Sequence, residues 1–190
     1  MPVKKFSICV VCLVLSQLLH AQFRTGLSAG LNLSNTIQQG NGDKISNSFL
    51  PRLHAGIELG YFFYSKWGLQ SGVFYSGKGY RIKTQDNVDS IVTRLSFFEL
   101  PLKLSYKISS AKENWVIVNG GFYAAYGVDG ERFEQTGFNR FDYGYVIDSE
   151  FGIKNNFAAK LGYSHGLGNT MTTDKMKNFV FNASLMYFFK

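Results

Sequence analysis

The chain has 190 residues, the size of one domain. A mean hydropathy of −0.06 excludes a bundle of membrane helices, but it is compatible with a membrane barrel, because half of each barrel strand faces a polar interior. The composition, with 18 Phe, 11 Tyr and 20 Gly against only 3 Pro, favours β-structure with aromatic residues at membrane interfaces.

Residues 1–22 have the pattern of a secretory signal peptide that is cleaved from the mature chain. Two lysines are followed by an apolar stretch, residues 6–19, which is too short for an ordinary membrane span, and Ala21 is a small residue at the expected cleavage point. Both cysteines, Cys9 and Cys12, lie in this segment. The mature chain is therefore expected to contain no disulfide and no thiolate metal site.

The mature chain is expected to keep a positive charge. Two of the 20 Lys and Arg residues lie in the signal segment, which leaves 18 against 13 acidic residues, a net charge of +5. The cations are scattered in loops or alternate with acids, so no nucleic-acid partner is expected. Attraction to an anionic lipid surface accounts for the charge at least as well.

Eight segments after the signal alternate between apolar and polar residues with the period of two that is typical of a β-strand. In the second, Leu53 and Ile57 share one face, and His54 and Glu58 share the other. In the fourth, Pro101 cannot donate a ladder hydrogen bond, which predicts a local irregularity. In chain order the predicted strands span residues 24–35, 50–64, 67–81, 91–108, 115–128, 141–153, 157–165 and 178–189.

The connections between these segments alternate between long and short, beginning and ending with a long one. An even-stranded outer membrane barrel has this plan, with short periplasmic turns and long extracellular loops. Aromatic residues gather beside both kinds of connection, where the two membrane interfaces would lie. We therefore predict an all-β fold, an eight-stranded antiparallel up-and-down transmembrane β-barrel that comprises residues 23–190 and lies in the outer membrane.

Alternation does not by itself decide which face points outward, since a soluble lipocalin-like barrel has the same period with its apolar residues inside. Three features favour the membrane barrel. The polar face carries charges of both signs, the apolar face ends in aromatic residues, and the chain combines a signal peptide with the expected absence of a disulfide.

Five segments carry further information: G-L-N-L-S at 30–34, L-Q-S-G-V-F-Y-S-G-K-G at 69–79, F-E-L-P-L-K-L-S-Y at 98–106, F-D-Y-G at 141–144 and G-Y-S-H-G-L-G-N at 162–169. They resemble the PorT-like outer-membrane β-barrel proteins of Bacteroidetes, which are related in plan to OmpX and OmpA-type barrels. The resemblance covers essentially the whole mature chain. For the family's namesake it implies a role in protein secretion and gliding. The family pattern usually has Glu at the position of Gly72 and Arg at that of Gly162, so this chain lacks both charges.

The polar face is predicted to form a paired charge network that fills a lumen only wide enough for side chains, rather than a proton or ion pathway. The predicted network comprises Arg52, Glu58, Glu99, Lys103, Asp148, Glu150 and Lys160. Lys78, Lys107 and Asp142 are expected to face inward as well. Opposed residues of an antiparallel pair share a face, so Lys160 is predicted to lie across from Glu150, or from Asp148 in a shifted register, and to form a salt bridge with it.

No catalytic, cofactor or metal site is predicted. Only His54 and His165 remain after cleavage, too few for metal ligation. A lipid-modifying barrel enzyme could use a Ser-His pair on its outer face, but Ser149 and His165 would lie at least four residues apart along adjacent strands. At about 3.3 Å per residue that separation exceeds about 13 Å.

The leading hypothesis is a non-enzymatic outer-membrane barrel, structural or accessory to secretion or surface interaction through its four long loops. A narrow pore or transport component and a lipid-modifying enzyme are the alternatives. The expected partners are outer-membrane lipid, the outer-membrane assembly machinery, and proteins of the envelope or of a secretion system.

The last strand supplies a prediction about assembly. Phe181, Leu185, Tyr187 and Phe189 have the spacing of the signal that outer-membrane assembly machinery recognises. Replacing Phe189 with Asp is expected to reduce membrane insertion and to leave degraded or periplasmic protein. Heat-modifiable mobility on gels measures the yield of folded barrel, and a normal yield from this variant would contradict the assignment.

Overall fold

A computed structural model describes residues 22–39, 47–63, 65–83, 90–110, 114–130, 138–154, 156–169 and 175–189. Except for Gln22, the predicted signal peptide lies outside these residues, so its cleavage stays a prediction. The described residues form nine strands: β1 (Gln22–Gln39), β2 (Asn47–Ser48), β3 (Leu50–Phe62), β4 (Trp67–Lys83), β5 (Ser90–Ser110), β6 (Trp115–Asp129), β7 (Phe141–Lys154), β8 (Phe157–Gly166) and β9 (Lys175–Phe188).

The nine strands close into one antiparallel, eight-stranded barrel. Each long strand pairs with the long strands before and after it, and pairing of β1 with β9 completes the ring. The two-residue β2 pairs with the C-terminal end of β4, beyond the part of β4 that pairs with β3. β2 and β3 therefore occupy the same position in the barrel wall and count as one of its eight strands. No helix in the described parts of the chain is long and apolar enough to cross a membrane.

The eight long strands correspond one to one with the predicted strands, and their ends differ by at most four residues. The largest difference is at β1, which continues to Gln39 through residues whose polar sequence predicts a loop. Here β1 stays paired with β9 as far as Gln39 and Lys175. Backbone pairing extends the strand beyond the point where its alternating hydrophobic pattern stops, because ladder hydrogen bonds do not depend on side-chain polarity.

The apolar face of the strands forms the outer wall and the polar face lines the lumen, as predicted. Leu102, Phe122 and Leu185 are 61%, 68% and 66% exposed. On the other face, polar and charged side chains such as Ser105 and Asn119 are completely buried. An ordinary soluble protein would bury the first set and expose the second. The distribution is the one that a lipid-facing barrel requires.

The predicted irregularity at Pro101 is confirmed. The ladder between β4 and β5 includes the pair Ser71–Leu102 and resumes at Phe74–Glu99, without the two pairs between them. The Ser71 hydroxyl donates a hydrogen bond to the Pro101 carbonyl oxygen at 2.8 Å. A side-chain bond thus satisfies one backbone acceptor at the point where proline cannot contribute to the ladder.

Two apolar clusters occupy the ends of the lumen. We call the end with the short connections the turn end and the end with the long connections the loop end. The turn-end cluster consists of Phe62, Trp115, Ile117, Ala158, Met186 and Phe188. The loop-end cluster consists of Leu95, Phe97, Tyr123 and Ala125, with Phe138 and Val146 packed against it. The charged part of the lumen lies between the two clusters.

Candidate functional site

The candidate functional site is the charged lumen. Successive residues of a strand point to opposite faces, so half of the residues of each strand project inward. Nine of these inward side chains form ion pairs with one another, eight of them buried and Arg24 half-buried. We call them the lumen network: Arg24, Glu58, Lys78, Glu99, Lys103, Asp142, Asp148, Glu150 and Lys160.

Glu58 is the centre of the network in the turn-end half of the barrel. Its carboxylate accepts a hydrogen bond from the Lys160 ammonium. The Lys103 ammonium lies 3.9 Å from the other Glu58 oxygen and 2.8 Å from Asp148. These four residues belong to β3, β5, β7 and β8, so their ion pairs cross the lumen rather than follow its wall.

Arg24 joins this half of the network to the turn-end cluster. Its guanidinium lies 3.4 Å from Glu150, 4.2 Å from the centre of the Trp115 ring and 3.8 Å from that of Phe188. A cation between two aromatic faces gains cation–π attraction in addition to its ion pair. Asn119 completes the arrangement by donating to Asp148 at 2.5 Å and to Glu150 at 3.0 Å.

Lys78 is the centre of the loop-end half. Its ammonium lies 3.0 Å from Glu99 and 3.1 Å from Asp142, and 4.3 Å from the centre of the Tyr123 ring. The Tyr123 hydroxyl and the Asn178 amide also donate to Asp142, at 3.3 and 3.4 Å. Two carboxylates and an aromatic face therefore stabilise one buried cation. They compensate for the free energy that the ammonium loses when it is removed from water.

The structure brings together six of the seven residues predicted for the network. Arg52 is the exception, because its guanidinium donates to the Ser96 hydroxyl at 3.4 Å and forms no ion pair with any described residue. Lys107, predicted to face inward, is half-buried at the turn end, and its side chain likewise forms no ion pair with a described residue. Both lie near a barrel end, where alternation no longer determines what a long side chain reaches.

Of the two registers predicted for Lys160, the structure has the one that sets it opposite Glu150, but the predicted salt bridge between these two residues is wrong. Glu150 lies directly opposite Lys160 in the ladder between β7 and β8. The Lys160 ammonium nevertheless bonds to Glu58 on the far side of the lumen. Glu150 instead forms an ion pair with Arg24 and accepts a hydrogen bond from Asn119. Neither of these two residues was predicted to belong to the network. Both lie on the inward face of their strands, so the alternating pattern contained the signal that would identify them.

A cavity of about 50 Å³ lies between the two halves of the network. His54 lines it, stacked on Phe74 at 5.0 Å between ring centres, and its Nδ1 atom is buried without a hydrogen-bond partner. Gly162 also lines the cavity, and a Cβ at this position would lie 3.1 Å from the Cβ of Asp148, a tight contact. At Gly72 the Phe74 ring occupies the place of a side chain, 2.6 Å from where a Cβ would be. The cavity has room for a few water molecules.

Metal ligation finds no support in the described residues, which contain no group of three or more His, Cys, Asp and Glu side chains able to hold an ion. The residues of the predicted assembly signal lie on the outer wall of β9 and just beyond it. Their exposed fractions range from 41% to 66% in the set Phe181, Leu185, Tyr187 and Phe189. Recognition of these side chains by assembly machinery stays a prediction.

Comparisons with known proteins agree with this architecture. The family model described as "Outer membrane protein beta-barrel domain" matches residues 16–172. OprG from Pseudomonas aeruginosa is similar in fold, with 13% identity, a TM-score of 0.51, and coverage of 89% of this chain and 95% of OprG. The outer membrane protein AlkL in DMPC bilayers is similar too, with 12% identity, a TM-score of 0.52, and coverage of 89% and 91%. No curated protein matches the sequence.

The ion pair between Lys160 and Glu58 can be tested by a double-mutant cycle. Removing one partner of a buried ion pair costs about 3–5 kcal/mol, because the other charge is left uncompensated. Lys160→Met is therefore expected to lower the free energy of unfolding by about that amount, and adding Glu58→Gln should recover part of the loss. Denaturant titration of the folded barrel in detergent measures both effects.

Glu150→Gln serves as the matched control for this cycle, because Glu150 lies opposite Lys160 but is bonded by Arg24 and Asn119. We expect the coupling energy of Lys160 with Glu58 to exceed that with Glu150. A larger coupling with Glu150, or additive effects of Lys160→Met and Glu58→Gln, would contradict the pairing seen across the lumen.

Proposed function

Since the chain belongs to the outer membrane protein β-barrel domain family and lies in the outer membrane, we propose that it is a plugged, non-enzymatic barrel of the PorT-like type found in Bacteroidetes. It serves envelope structure or a secretion system, and its long extracellular connections make the contacts. The lumen does not transport a solute. The observation that carries the proposal is the obstruction of the barrel by charged side chains.

The lumen network supports a plugged barrel. Ion pairs cross the interior at two levels, one centred on Glu58 and one on Lys78. An apolar cluster lies beyond each level, and the cavity between them holds about 50 Å³. A solute or hydrated ion would have to break several buried ion pairs in order to pass, and each uncompensated charge costs several kcal/mol. This arrangement favours a structural role over a pore.

The outer wall supports a non-enzymatic role. Ser149 lies opposite Leu161, and His165 lies opposite Tyr145, four residues farther along the ladder. At about 3.3 Å per residue the serine and the histidine are roughly 13 Å apart, so the imidazole cannot take a proton from the hydroxyl. The His165 ring is instead stacked on Tyr145 at 5.4 Å, and its Nδ1 lies 3.3 Å from the Tyr163 hydroxyl.

The PorT-like assignment rests on motifs that lie in the barrel wall. The stretch at 98–106 supplies Glu99 and Lys103 to the lumen network and contains the ladder interruption at Pro101. These motifs describe how the barrel is built, and the accessory role follows from the resemblance to the family's namesake. With its interior occupied, such a barrel acts through surfaces outside the lumen.

A plugged lumen predicts electrical silence. The purified, refolded protein is expected to give no steady unitary current in planar lipid bilayers, because two levels of ion pairs and two apolar clusters obstruct the lumen. A general porin inserted by the same procedure is the positive control. Reproducible unitary steps from a preparation shown to be folded by its heat-modifiable mobility would favour the pore alternative.

An accessory role predicts protein partners at the loop end. Cross-linking in the native membrane, followed by purification, is expected to capture an envelope or secretion protein. Replacing residues 131–137, in the long connection between β6 and β7, with a short Gly-Ser link should reduce that capture if this connection makes the contact. The matched control alters residues 111–113, in the short connection between β5 and β6.

The controls separate the possible outcomes of this capture experiment. Equal capture by both variants would place the contact elsewhere on the protein. Recovery of nothing except lipid and assembly machinery would contradict the accessory role. Secretion by a deletion strain then distinguishes a secretion accessory, whose loss reduces export, from a barrel that serves the envelope alone.

A further inference from the structure

A second, larger pocket lies at the loop end, apart from the lumen network. Its volume is about 480 Å³. The pocket is lined by Arg52, Val92, Arg94, Ser96, Asp129 and Gly130. Among the residues that the structure describes, its lining combines two guanidinium groups with one carboxylate and so carries an excess of positive charge, unlike the ion-paired interior of the barrel.

The two arginines of this pocket lack anionic partners in the part of the chain that the structure describes. Every charge of the lumen network has an opposite charge within 4 Å, whereas neither Arg52 nor Arg94 forms an ion pair with a described residue, Asp129 included. Arg52 is half-buried, and its Nε atom is buried without a hydrogen-bond partner. A guanidinium withdrawn from water in this way calls for an acceptor.

The fold holds the Arg52 side chain beside the pocket. A Cβ on Gly77 of the neighbouring β4 would lie 2.8 Å from the Arg52 Cβ and 3.2 Å from its Nε. The absence of a side chain at Gly77 therefore leaves room for the Arg52 side chain. The Arg52 guanidinium donates a hydrogen bond to the Ser96 hydroxyl, which also lies 2.8 Å from the Tyr75 hydroxyl. The arginine is thus positioned before any ligand arrives.

The pocket lies at the height where membrane headgroups are expected. The ladder between β5 and β6 ends at the loop end with the pair Ser96–Asp129. Phe98 pairs with Tyr126 two positions nearer the middle of the barrel. These two aromatic side chains are 49% and 54% exposed on the outer wall. Aromatic residues in this position mark the interface between hydrocarbon and headgroups. The residues beyond them therefore reach the layer that contains the phosphate groups of lipids.

We propose that this pocket, lined by Arg52, Arg94 and Ser96, is a binding site for a phosphate-type oxyanion. A guanidinium presents parallel N–H donors that match two oxygens of a phosphate, and two such groups neutralise its charge. The shared chemistry allows two sources, free phosphate or the phosphorylated headgroup of an outer-leaflet lipid. Asp129 opposes binding through like-charge repulsion and limits the affinity.

Calorimetry on the folded protein tests the site. Inorganic phosphate is titrated into the barrel in zwitterionic micelles, and the titration is repeated in nanodiscs of zwitterionic lipid with and without a phosphorylated glycolipid. Saturable binding is expected, at least tenfold weaker in the double variant Arg52→Gln, Arg94→Gln. Asp129→Asn should bind several-fold more tightly, an effect that a merely structural role of these residues would not produce.

Lys177→Gln is the matched control, because Lys177 is another cation near the loop end that does not line the pocket. This variant should bind phosphate like the parent protein. If the glycolipid in the nanodiscs abolishes phosphate binding, its headgroup competes for the site and is the ligand. If the glycolipid leaves phosphate binding unchanged, the ligand is free phosphate. The proposal is overturned by no saturable binding, or by undiminished binding in the double arginine variant.

Discussion

The structure depends on one constraint: a narrow barrel in lipid must neutralise the charges that its strands bury in the middle of the lumen. Strand geometry sends half of the residues into the lumen whatever their chemistry, and no bulk water fills an eight-stranded barrel. Glu58 meets the constraint with two lysines, and Lys78 meets it with two carboxylates. A buried charge without its partner would cost several kcal/mol.

The same constraint links the packing of the barrel to its function. Because most of the ion pairs join strands that are not neighbours in the ring, they fill the interior as well as neutralising it. Arg24 carries the arrangement into the aromatic turn-end cluster, so the polar and apolar parts of the plug form one unit. We propose that a barrel plugged in this way acts through its rims, its connections and its outer wall. Among the described residues, Arg52 and Arg94 at the loop-end rim carry positive charge that no ion pair neutralises.

Family membership and the structure bear on different levels of this account. The family model and the fold of OprG and AlkL establish a barrel of the outer membrane. The residue arrangement gives the reason that this particular barrel is plugged. At Gly72 a neighbouring phenylalanine ring fills the space, and Gly162 lines the small cavity between the two halves of the network.

The sequence by itself determined the strands, their facing and the irregularity at Pro101, and it limited Lys160 to two registers, one opposite Glu150 and one opposite Asp148. Those features follow from the period of two and from local backbone chemistry, which a linear pattern contains. Only the tertiary structure decided that Lys160 bonds to Glu58, 102 residues away in the chain. Pairing across a lumen depends on barrel curvature and on the reach of flexible side chains. The alternation of residues along a strand gives only the face to which a side chain points, and it contains neither of these quantities. For the same reason the sequence did not predict the contacts of Arg24, Asn119 and Arg52, which depend on the closed barrel.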